Sequence, residues 1–172
     1  MKTPAIVSLA AFTLVSTSTL FAEQDSIPNR LIDYNGFQKI VDTSGKERES
    51  RRLTEEQFLA AMADTGVVVL DARSAAMYQL RHIKGAVSLP FTDFTAASLS
   101  TVLPAKDVKI LIYCNNNFLG SPMAFASKTA TASLNLSTYT SLKAYGYNNI
   151  YELGPLLDVR TTKIPFEGSD VK

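Results

Sequence analysis

The residue with the most chemistry to offer is Cys114, the only cysteine in a chain of 172 residues that also has a single histidine, His82. It directly follows the apolar run Lys109 to Tyr113 (KILIY), and the segment CNNNFLG carries the chain to Ser121-Pro122. Ser is a favoured N-cap and Pro a favoured first helical residue, so this spacing predicts a helix from Pro122 to about Ala130. The free N–H groups of its first turn would then point at the thiol, and those dipoles favour a thiolate and any anion bound beside it. Asn115, Asn116 and Asn117 suit a tightly curved loop, because Asn tolerates left-handed backbone angles and its amide can donate hydrogen bonds. The chemistry implied is nucleophilic attack by sulfur on a small anionic substrate. The alternative is a small buried Cys that ends a core strand.

Stepping outward, the elements around Cys114 alternate between strand and helix. Val67 to Asp71 (VVVLD) and Lys109 to Tyr113 are apolar runs of the kind buried on both faces of a parallel sheet. Ala86 to Leu89 and Asn149 to Leu153 read as further strands. Thr54 with Gln57 forms a capping box ahead of a helix whose apolar face is Phe58, Leu59 and Met62. Further helices are expected at Ala75 to Leu80, after Thr95 as far as Pro104, and from Tyr139 to Tyr145, where Gly146 stops the last. Earlier in the chain the spacing predicts a short strand at Leu31 to Tyr34. Asn35-Gly36 is a hairpin signal, while Phe37, Ile40 and Val41 favour a short helix. The segment TSGKERESRR reads as a solvated charged loop. Alternation of this kind calls for an α/β domain with a mainly parallel sheet, whose ligands bind beyond the carboxyl ends of the strands.

Composition narrows the function classes. There are 17 Lys and Arg against 16 Asp and Glu, a net charge of +1, so no basic surface is implied that could hold nucleic acid. One Cys and one His exclude an intramolecular disulfide and Cys₄ or Cys₂His₂ zinc sites, and no metal or organic cofactor is called for. The first 22 residues read as an export signal: Lys2 supplies the positive start, Ala5 to Val15 the apolar stretch, and Ala22 the small residue at the cleavage point. The apolar stretch is too short and interrupted to span a bilayer well. Expected, then, are a signal over 1–22, a polar linker over 23–30, one domain over 31–172, and a mature protein that is periplasmic or secreted and free of the membrane.

Three ordered segments carry a resemblance to a known family. VVVLDARSAAMYQLRHIKGAVSLPF, ILIYC and AYGYNNIYEL together resemble the single-domain rhodanese-like proteins, over roughly Leu53 to Leu153. The resemblance implies a single α/β domain with a central, mainly parallel sheet flanked by helices. It also implies Cys114 as the catalytic residue that carries a persulfide, and a substrate-binding loop of Asn115, Asn116, Asn117, Phe118, Leu119, Gly120 and Ser121. Asp71, Arg73 and His82 sit inside the fold-defining segment and are expected to support structure. The implied activity moves sulfane sulfur from thiosulfate or a polysulfide to cyanide or a thiol. The alternative is a non-catalytic module that binds a protein or small anion. Two departures matter. The loop holds no Lys or Arg, so a cation would have to reach the site from elsewhere in the fold, Arg73 and Lys128 being the candidates. Gly120 stands where related phosphatases have the Arg of Cys-x₅-Arg, so a phosphate transition state would lack its clamp.

Overall fold

The structure is a computed structural model and describes residues 27–171; the export segment read at 1–22 lies outside them. Contacts divide the chain at Ile32 into a short leading unit and a larger one. Of the leading unit, residues 27–32 form a turn in which Asn29 accepts the N–H of Leu31 through its side chain and that of Ile32 through its carbonyl. No strand forms at Leu31 to Tyr34, since Asn29 takes up the backbone donors of Leu31 and Ile32. Asp33 instead caps a helix, its Oδ1 accepting from Gly36 N at 2.8 Å.

That helix, α1 (Tyr34–Arg48), is longer than its sequence suggested. It absorbs the Asn35-Gly36 pair into its first turn and runs through most of the supposed charged loop, which ends in a 3₁₀ turn at Glu49–Arg51. Lys46 and Arg48 complement the dipole of its last turn. Two long-range ion pairs hold it: Glu47 to Lys143 at 2.7 Å and Arg48 to Glu152 at 2.6 Å. These partners, 96 and 104 residues away, make an ordered helix of a stretch that is polar in isolation.

The following elements are β1 (Arg52–Leu53), α2 (Glu55–Met62), β2 (Val67–Asp71), α3 (Ala75–Leu80), β3 (His82–Ile83), β4 (Val87–Ser88), α4 (Ala96–Val102) and β5 (Lys109–Tyr113). They continue with β6 (Phe118–Leu119), α5 (Leu134–Ala144), β7 (Ile150–Leu153), β8 (Leu157–Asp158) and β9 (Phe166–Glu167). A five-stranded parallel sheet has the order β1-β7-β5-β2-β4. Successive side chains of a strand point to opposite faces. In β5, Leu111 and Tyr113 therefore join Phe58 and Ala61 of α2, whereas Ile110 and Ile112 join Leu99 of α4 and Leu142 of α5. The sheet is covered on both sides, as its unbroken apolar runs require. The capping box expected at Thr54 with Gln57 fixes α2, and a second box, Thr95 with Ser98, fixes α4.

The expected helix from Pro122 does not form. Residues 122–124 make a turn and the chain then runs irregularly to Thr129. Two long-range side chains take the groups that a helical bond would have joined. Ala124 O accepts from Arg73 Nη1 at 2.7 Å, and Lys128 N donates to Asn116 Oδ1 at 3.0 Å. Beyond β7 the chain adds two short pairings: β8 runs parallel to β6 and β9 antiparallel to β3. No helix among the described residues is long and apolar enough to cross a membrane.

Candidate functional site

Cys114 lies at the carboxyl end of β5, in the middle of the sheet, and only 1% of its surface is exposed. It borders a cavity of about 350 Å³ shared with Arg48, Arg52, Asn116, Asn117, Ser133 and Glu152, among others. Its Sγ is 3.4 Å from Ser133 Oγ. Ser133 is the N-cap of α5, and its hydroxyl makes no capping bond to its own helix. The helix end that meets the thiol is thus that of α5 and not one at Pro122. A hydroxyl so placed can donate to a thiolate, and the helix N-terminus adds partial positive charge.

The loop after Cys114 is committed to its own architecture. Asn117 Oδ1 accepts from Cys114 N at 2.9 Å and from Asn135 Nδ2 at 3.2 Å, while its Nδ2 donates to Leu153 O at 2.8 Å. Asn116 donates to Lys128 O at 2.8 Å and accepts from Lys128 N, clipping the loop to the segment after Pro122. Asn115 is buried and faces a different cavity, with Ala72, Arg73 and Lys128. Phe118 enters the core, with ring centroids 4.6 Å from Phe125 and 5.1 Å from Phe166. Leu119 is exposed in β6. Gly120 has φ +87°, and a Cβ there would come within 2.8 Å of Asp158 Oδ1, so only glycine fits. Ser121 Oγ donates to Asp170 Oδ2 at 2.9 Å. Of the seven loop residues expected to meet substrate, then, Asn116 and Asn117 border the cavity at Cys114 and the other five point elsewhere.

Asp71 and Arg73 form a buried ion pair at the carboxyl end of β2. Arg73 Nε donates to Asp71 Oδ1 at 2.9 Å and its Nη2 to Oδ2 at 2.5 Å, while Nη2 also reaches Arg81 O at 2.8 Å. Burial opposes the guanidinium charge, but the bond to and charge of Asp71 outweigh it and raise the Arg73 pKa. Tyr113 also donates to Asp71 and accepts from Ile83 N at 3.1 Å. His82 stacks on Tyr78, ring centroids 3.7 Å apart, with Nδ1 2.7 Å from Tyr78 O. None of Asp71, Arg73 and His82 borders the cavity at Cys114.

The cations at the cavity come instead from the segment read as a solvated loop. Arg48 holds the buried Glu152 by two bonds, Nη2 to Oε1 at 2.6 Å and Nε to Oε2 at 3.0 Å, and Arg52 Nε approaches Oε1 at 3.3 Å. Burial pushes the Glu152 carboxyl up, with Arg48 and Arg52 pulling against it. Two guanidinium groups thus face one buried carboxylate, and the exposed Glu49, 3.4 Å from Arg52, is a second counter-charge. The sequence did carry a sign of this cluster: a glutamate inside the apolar strand IYEL must find cationic partners if it is buried.

The model of the Rhodanese-like domain matches residues 54–154. The chain belongs to the rhodanese-like family. Among solved structures, this rhodanese-like chain is similar to the BH2092 protein of Bacillus halodurans, at 18% identity and TM-score 0.52 over 77% of this chain and 88% of that one. It is also similar to the rhodanese-like domain of the Anabaena protein Alr3790, at 20% identity and TM-score 0.49 over 70% of this chain and 80% of that one. A rhodanese with anions from E. coli gives 20% identity and TM-score 0.41 over 60% and 99% of the respective chains. The first of these likenesses supports the fold. No curated protein matched the chain. The helix α1, with Arg48, precedes the matched region, and so does Arg52.

Proposed function

We propose that this rhodanese-like protein is an exported sulfurtransferase or persulfide carrier that works through Cys114. The observation that carries the reading is the single thiol at the end of the central strand, bordering one cavity with Ser133, Arg48 and Arg52. The Cys114 thiolate attacks the outer sulfur of thiosulfate. The bond from that sulfur to the sulfonate group breaks, and sulfite leaves with the electron pair. The persulfide stays on Cys114, its charge held by the Ser133 hydroxyl and the guanidinium groups of Arg48 and Arg52. A thiol or cyanide then takes the outer sulfur and returns the thiolate. Neither half-reaction requires a metal or organic cofactor.

Intact mass tests this. After incubation with thiosulfate or a polysulfide, the protein should gain the mass of one sulfur atom, and Cys114→Ser should gain none. One specific observation favours a second reading, a non-catalytic module that binds an anion or protein: Cys114 is almost fully covered, and the amides of Asn116 and Asn117 are already bonded within the fold. Under that reading no sulfane donor loads the thiol in the folded protein.

A further inference from the structure

A second cavity, of about 550 Å³, lies between α1 and α5 and has a different character. Phe37 and Val41 of α1, Phe91 and Leu136 give it apolar walls. Phe37 is 54% and Val41 41% exposed, although their spacing puts them on one face of α1. Ser44 and Tyr139 also line the cleft, are both more than nine-tenths buried, and have hydroxyls without any hydrogen-bond partner in the protein. Arg48 and Leu136 border both this cleft and the cavity at Cys114, so the two meet across those side chains.

We propose that the cleft binds the sulfur acceptor, and that the acceptor is a small organic thiol with an apolar body; this rests on the sulfurtransferase reading for its purpose. The volume suits a small molecule. The walls suit a hydrocarbon or aromatic group and offer nothing to cyanide or sulfite. The guanidinium groups of Arg48 and Arg52 favour an anionic thiolate head directed past Arg48 toward Cys114. Transfer balances without an oxidant: the acceptor thiolate attacks the outer sulfur of the Cys114 persulfide, that sulfur's bond to Sγ breaks, and the electron pair returns to Cys114 as its thiolate. The acceptor leaves as an organic persulfide.

Cys114→Ser removes the only thiol, so thiol binding to that full-length variant can be titrated without exchange chemistry. By calorimetry or NMR, phenylmethanethiol should bind at least tenfold more tightly than 2-mercaptoethanol, a thiol of similar acidity. Adding Val41→Asp or Phe37→Ser, both at exposed positions, should abolish that preference with the circular dichroism unchanged. Equal binding of the two thiols, no binding of either, or a preference that survives both cleft substitutions would overturn the proposal. Sulfur loading of wild-type Cys114 is read separately by mass. A clear preference in Cys114→Ser beside a wild type that never loads would keep the thiol cleft and sink the sulfurtransferase reading alone.

Discussion

The arginines at the thiol cavity differ in how tightly they are held, and this decides which is free to meet a substrate. Arg48 makes two bonds to the buried Glu152, at 2.6 and 3.0 Å, whereas Arg52, two-fifths exposed, is held by three longer contacts, to Glu152 at 3.3 Å, Glu49 at 3.4 Å and Gly154 O at 3.3 Å. Arg52 can turn toward an anion by giving up these longer contacts, whereas Arg48 would have to abandon its two short bonds to a buried carboxylate. A charge-assisted hydrogen bond contributes about 1.5–3 kcal/mol, or roughly one to two powers of ten in affinity. Under the proposed sulfurtransferase reading, Arg52→Gln should therefore raise KM for thiosulfate by about that factor and leave kcat nearly unchanged, because the nucleophile is untouched. Steady-state kinetics check this. An unchanged KM would mean that the anion binds out of reach of Arg52. The loop's own lack of Lys and Arg matters less than its sequence implied, since charge arrives from α1 and β1, while Arg73 is occupied by Asp71.

Between elements, the Asp71–Arg73 pair joins the end of β2 to the turn at Ala124 and to Arg81, and the Arg73 guanidinium lies 4.4 Å from the Phe125 ring centroid. It thereby replaces the helix expected after Pro122 by a cross-linked irregular segment. Breaking a buried pair by removing one partner leaves an uncompensated charge, at a cost of about 3–5 kcal/mol. Arg73→Ala should lose about that much stability in urea denaturation at neutral pH. A loss under about 1 kcal/mol, the range of an exposed pair, would show that the pair does not hold the loop. Tyr113 links β5 to the same carboxylate. Burial raises its phenol pKa well above the ordinary value, and the charge of Asp71 adds to the effect.

For the whole molecule, such groups set the alkaline limit of stability. Burial pushes the Tyr139 phenol up to about 12, with Glu47 contributing next. A phenol whose pKa is raised on folding keeps its proton better in the native state. The associated stability is present below the ordinary value, about 10, and is lost as pH rises through the raised one. Phenolate absorbance and far-ultraviolet circular dichroism, followed together across alkaline pH, should show Tyr113 and Tyr139 ionising with the loss of fold, after the more exposed of the seven tyrosines. Ionisation of all seven near pH 10 in a folded protein would contradict this. At the same scale, the export reading gives a simple expectation: protein from an exporting host should begin at Glu23, and a mature species that retains Met1 in the cytosol would refute it.

What the sequence determined by itself is local. β2 and β5 follow from unbroken apolar runs, the start of α2 from the Thr54–Gln57 box, and the place of Cys114 from its position after β5. The family, too, was legible there, because its ordered segments lie along those elements. Tertiary structure decided the rest. Whether the charged stretch before β1 became helix depended on Lys143 and Glu152, and whether a helix followed Pro122 depended on Arg73 and Asn116, partners that local propensity does not see. The same long-range pairings that overrode propensity bring Arg48, Arg52 and Ser133 to the thiol, so the surroundings of Cys114 became readable only once the chain had folded.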